Sequence, residues 1–141
     1  MSEKEFDSAM NNSKEKEQRY KKIISGLIEA YNHFDVKKML RDVHPMVQFQ
    51  NISDGEITVE ANGIDELRVQ AEKARHYFTQ REQKITDIRF EDDWVEVEID
   101  YTAVLAVEFP NGLKPGDELK LKGKSIFRFE DEKIIEIKDI S

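Results

Sequence analysis

The rhythm of apolar and polar positions changes along this chain from a helical period to a period of two. Tyr20, Ile24, Leu27, Tyr31 and Phe34 recur at helical spacing, as do Ile64, Leu67, Ala71, Ala74 and Phe78. From Val95 the residues Val95, Val97, Ile99, Tyr101, Ala103, Leu105 and Val107 alternate with Glu96, Glu98, Asp100 and Thr102, which is the pattern of a strand with one buried face. The first helix is expected to start near Asn12 or Ser13, where Asn12 and Glu15 have capping-box spacing, and to reach Asn32. A short second helix should follow from Val36 to Arg41, capped by Asp35 and stopped by His44-Pro45. Asn62-Gly63 introduces a third, expected to end near Gln80.

Between and after the helices the chain reads as strands. Pro45 launches one in which Val47, Phe49 and Asn51 face inward, so that Asn51 continues an apolar row with a polar group. Asp54-Gly55 is a hairpin turn signal, and Ile57, Val59 and Ala61 form the return strand. Ile85, Ile88 and Phe90 predict a strand whose parity slips once, as a bulge causes, before Asp92-Asp93 turns it into a long strand from Trp94 to Val107. Past a Pro- and Gly-rich loop, Leu119, Leu121, Gly123, Ser125, Phe127 and Phe129 alternate with Lys120, Lys122, Lys124 and Arg128, and Ile134 to Ile140 follow. The expected fold is α+β: three helices in the N-terminal half packed on a curved, mainly antiparallel sheet that leaves an apolar pocket. Residues 1–14 read as a polar lead-in and 15–141 as one domain.

A chain of 141 residues has the length of one domain. It contains no cysteine, which excludes disulfides, thiolate metal sites and cysteine nucleophiles. Its 22 basic and 30 acidic residues leave a net charge of −8, which disfavours nucleic acid and anionic membranes as partners. Met1 to Gln18 lack the apolar run of a signal peptide or membrane span, so a cytoplasmic protein is expected. The outer faces of the two long strands carry opposite charge, Glu96, Glu98 and Asp100 against Lys120, Lys122, Lys124 and Arg128. Beyond these, Thr102, Val104, Ala106 and Ile126 point outward without charge and form the expected face of a homodimer, with an ordinary mixed surface as the alternative.

The succession of helix, short helix, "HPMVQFQNISDG", helix and a meander ending "GKSIFRFEDEKIIEI" resembles the nuclear-transport-factor-2-like superfamily. Within it the chain is similar to the SnoaL-like proteins, which are related to polyketide cyclases and ketosteroid isomerases. The resemblance covers about residues 16–141 and implies a cystatin-like cone, a curved mixed sheet folded over a long helix around one pocket. Carried over residue by residue from Asp35, the isomerase general base falls on Asn51, the oxyanion-hole tyrosine on Leu27 and the protonated aspartate on Ser125. An amide cannot abstract a proton from carbon, so that route to isomerase chemistry is not expected.

What remains for ligand binding is Leu27, Tyr31, Asn51, Tyr101 and Ser125, able to orient a small apolar or amphipathic molecule. Each has a plainer reading: Asn51 satisfying groups at a strand end, Ser125 a small strand residue, the tyrosines core aromatics with partnered hydroxyls. The three histidines, His33, His44 and His76, show no metal-ligand spacing, and neither metal nor cofactor is expected. The leading expectation is ligand binding without chemistry. The alternatives are an enzyme of the cyclase, isomerase or dehydratase type, using Tyr31 or Tyr101 as general acid with a histidine at the pocket mouth, and an adaptor working through the outer sheet face.

Overall fold

The computed structural model describes residues 2–141, with side chains described at Ser2 and from Asn12 onward. Its helices are α1 (Glu3–Asn32), α2 (Val36–Met39) and α3 (Ile64–Ala74), the last continued by a tight turn at Arg75–Tyr77. Its strands are β1 (Val43–Ser53), β2 (Glu56–Asn62), β3 (Phe78–Glu91), β4 (Trp94–Leu105), β5 (Glu118–Glu130) and β6 (Lys133–Ile140). They form one sheet in the order β2-β1-β6-β5-β4-β3, in which β1 and β6 run parallel and every other pair antiparallel. The expected α+β cystatin-like architecture, three helices on a curved mixed sheet, is what the structure has.

Apolar side chains of α1 meet those of the sheet in a core where Ile24, Val47, Val95, Val97 and Ile134 are wholly buried. Tyr20 stacks on Phe129 with ring centroids 3.8 Å apart. The parity slip appears where expected, as a register shift between Ile85 and Asp87. On the outer face the register sets Glu98 opposite Lys124 and Asp100 opposite Lys122, and the close ion pair that forms is the diagonal Lys124–Glu96 at 3.0 Å. Such exposed pairs contribute about 0–1 kcal/mol each. Thr102, Val104 and Ile126 lie half-buried on that face, whereas Ala106 lies past the end of β4.

Five element boundaries differ from the sequence reading. α1 begins at Glu3 and not at Asn12, because Glu3 to Asn11 hold no glycine or proline and the helical run passes through the capping-box pair. α2 ends at Met39, short of Arg41. β1 begins at Val43, ahead of Pro45; the proline sits in an irregular stretch between the β6-paired residues Val43 and Gln48, so its missing N–H costs no ladder bond. The helical spacing that reached Phe78 is overridden by sheet pairing: Phe78 lies opposite Leu105, and the Ala106 N–H donates to the Tyr77 carbonyl at 2.8 Å. Phe78 to Glu91 is therefore strand, which turns Arg81 toward the helices. β4 likewise stops at Leu105, two residues before Val107, where the loop closes by hydrogen bonds from Leu105 N–H to Asp117 and from Gly116 N–H to Leu105.

Candidate functional site

Between the three helices and the concave face of the sheet lies a cavity of about 350 Å³, within the range of small-molecule sites. Leu27, Tyr31, Asn51, Tyr101 and Ser125 all line it, in company with Leu67 and Ala71 of α3 and with Phe127 at its floor. Leu121, 42% exposed, stands where it opens.

The sheet register builds the polar end. Asn51 of β1 lies opposite Asp139 of β6, and Asp139 lies opposite Ser125 of β5, so the three side chains form one row across adjacent strands on the cavity face. The Ser125 hydroxyl, 3% exposed, donates to Asp139 Oδ1 at 2.6 Å. Burial pushes the Asp139 carboxyl above the ordinary aspartate range, and the Ser125 hydrogen bond opposes that only in part. Asn51 spends its Nδ2 on the side-chain hydroxyls of Thr58 at 2.8 Å and Ser53 at 3.4 Å.

Two glycines make this geometry possible. At Gly123 on β5 an added Cβ would sit 2.6 Å from the Ile140 carbonyl oxygen, so only glycine lets the end of β6 close against β5. Gly63, at φ 90°, starts α3 with its N–H donating to the Val47 carbonyl at 2.6 Å, which seats that helix on β1. The end of β6 is held from the other side as well, by Ser141 N–H donating to Ile52 and Asp54 N–H to Ser141.

At the other end the Tyr31 and Tyr101 hydroxyls share a hydrogen bond of 2.9 Å that ties α1 to β4. Burial raises both phenols, and for Tyr101 the neighbouring Tyr31 adds to it, so both stay protonated near neutral pH and act as donors. Arg81, 5% exposed, donates from Nε to the Tyr31 carbonyl at 2.9 Å and lies over the Tyr31 ring, 3.6 Å from its centroid. Asn32 binds both backbone groups of Gln83, its Nδ2 donating to the carbonyl at 3.1 Å and its Oδ1 accepting from the N–H at 2.8 Å.

Asp139, Arg81 and Gln83 were not singled out from the sequence. Asp139 carries a signal, since it is two residues beyond the inward Ile137; adjacent Ile134 and Ile135 interrupt that alternation. The carry-over that left the site without a carboxyl is corrected by Asp139, which enters from the strand between the two matched positions. None of the three histidines lines the cavity, so the expected histidine at its mouth is absent there. His44 Nδ1 accepts from the Met46 N–H at 2.9 Å and lies by the turn between β5 and β6, its ligand atom and those of Glu130 and Asp131 within 4.8 Å of one another. On the surface of α3, Glu72 and Arg75 form an ion pair at 3.3 Å.

A helix-backed cone with one apolar cavity and a few polar groups is the ketosteroid-isomerase-like class of fold. More narrowly, a model of the SnoaL-like domain family matches residues 24–137, and the chain belongs to that family. Among solved structures it is similar to a candidate polyketide cyclase of Xanthomonas campestris pv. campestris, at 18% identity and TM-score 0.75 over 89% of this chain and 92% of that one. AclR of Streptomyces galilaeus, a candidate hydroxylase, matches at 20% identity and TM-score 0.68 over 86% of each chain. A candidate SnoaL-like polyketide cyclase from Jannaschia sp. CCS1 matches at 16% identity and TM-score 0.71, over 86% of this chain and 84% of that one. No curated protein matches the chain in sequence. Among the described residues, no helix is long and apolar enough to cross a membrane.

Proposed function

We propose that the cavity binds a small, largely apolar carbonyl compound and moves a proton on it, with Asp139 as the acid–base group. The observation that carries this reading is a carboxyl on the cavity wall whose pKa burial has raised and whose one protein donor is Ser125. A carboxyl held above its ordinary range is better matched to neutral pH, where it can take a proton from carbon and return it elsewhere. Ser125 occupies one carboxyl oxygen and leaves the other for the substrate. The tyrosine pair holds two protons and shares one hydrogen bond, so one O–H is left to donate to an oxygen that gains charge as the C–H bond breaks. That is chemistry of the cyclase, isomerase or dehydratase kind, and the similar structures described as candidate cyclases support it.

The competing reading keeps the cavity and makes Asp139 inert. Deuterium uptake from D2O at the α-carbon of ring-sized β-keto esters, followed by NMR, tests the choice. Catalysed exchange is expected, and Asp139→Asn should slow it by about 100- to 10,000-fold. If the wild type exchanges none of these esters and its Asp139 carbon signal shows no titration between pH 5 and 8, binding alone is the function.

A further inference from the structure

Arg81 is a charged group of the cavity wall that the proton transfer does not use. Among the described residues no carboxylate lies within ion-pair distance of it. Part of its presence is structural. The Tyr31 carbonyl at the end of α1 accepts from the Phe34 N–H at 3.1 Å and also from Arg81 Nε, and the guanidinium lies 4.5 Å from the Phe34 ring centroid. Nε thus adds a second donor to that helix end and ties β3 to it. Of the rest of the fork, Nη2 is buried and has no hydrogen-bond partner among the described residues. An unpaired donor on a buried cation is costly, more so than a neutral one.

The groups around that donor share a character. The tyrosine pair has its spare O–H, and Gln83, whose backbone groups are both taken by Asn32, has its side-chain amide on the cavity wall. This end of the cavity is thus rich in donors and holds one uncompensated positive charge. Asp139 belongs to a different row of the sheet, the one that crosses β4 at Val97. A single guanidinium end with neutral donors matches one delocalised negative charge; a phosphate dianion calls for more cationic partners.

We infer that the ligand is an amphipathic acid whose carboxylate sits on Arg81 Nη2 with the Gln83 side chain beside it, and whose apolar body fills the cavity toward Asp139. This rests on the cavity being a ligand site and is independent of whether a proton moves there.

Matched probes test it: 2-naphthoate against 2-naphthamide, and benzoate against benzamide, titrated into the protein at pH 7 by NMR. Each acid should bind at least tenfold more tightly than its amide, and Arg81→Gln should bring each pair level by weakening the acid alone. If acid and amide bind equally, or if the preference survives in Arg81→Gln, the carboxylate inference falls and the cavity reading stands. If no probe shifts a cavity resonance, both fall. Should Arg81→Gln fail to fold, the guanidinium signals of Arg81 in the wild type decide: they should move with naphthoate and not with naphthamide, and bound naphthoate that leaves them unmoved overturns the inference.

Discussion

At the scale of single residues, Asp139 ties stability to pH through one proton. In the unfolded chain it ionises near the ordinary value of 3.8, and in the cavity burial keeps it protonated to higher pH. Across that interval the native state holds the extra proton, so this group's contribution to stability falls as pH rises, by up to about 1.4 kcal/mol per pH unit, and levels off above the native pKa. Urea midpoints measured from pH 4 upward should therefore decline more in the wild type than in Asp139→Asn; a steeper decline in the variant would mean the carboxyl is stabilised as the anion. Ser125→Ala removes the hydrogen bond that favours the charged form, and should move the Asp139 titration to still higher pH in a carbon-detected NMR titration. The five ligand-lining residues were legible because each sits in a clean alternation or on a helical stripe. Arg81 was not: it lies in the polar run Thr79 to Lys84, just past a helix end that spacing alone put too late. Its orientation depends on pairing with β4, which is information from a strand some twenty residues away.

Elements carry a different lesson, because their existence was readable and their ends were not. Strand periods, the Asp54-Gly55 hairpin and the parity slip in β3 are local properties, and all are present. Where α3 gives way to β3 is set by a competition between helical spacing and the Phe78–Leu105 pairing, and the sheet wins. Gly123 shows how one element positions another. Gly123→Ala would put a Cβ against the Ile140 carbonyl, forcing the end of β6 away from β5. A loss of about 1–3 kcal/mol in urea unfolding is expected, with a displaced Asp139 signal, whereas Gly112→Ala, strained by its φ of 91° but meeting nothing within 4 Å and lying in the loop between β4 and β5, should leave Asp139 where it is. A Gly123→Ala protein with an unchanged Asp139 spectrum would show that β6 finds its place without that close approach.

On the scale of the whole molecule, an apolar cavity costs stability that side chains packed in its place would supply. Ala71 lines it from α3, and Ala71→Leu should fill part of the space, adding about 1–2 kcal/mol in thermal or urea unfolding and abolishing 2-naphthoate binding. A variant that gains stability and still binds the probe would locate the ligand elsewhere. The architecture was legible in the order of helix and meander, since that order leaves few ways to bury one face of a sheet. The polar end of the cavity was not, because it is assembled from β1, β6 and β5, and only their lateral order brings Asn51, Asp139 and Ser125 together. That lateral order also governs how the molecule comes into being. β6 is synthesised after the five strands it joins, yet it occupies an inner place, with β1 on one side and β5 on the other. A growing chain therefore carries two unpaired strand edges until residues 133–140 emerge, and closes its sheet through contacts between distant parts of the sequence. Folding should be slow for its size, and the nascent protein is most vulnerable to wrongful pairing just before its acid group arrives.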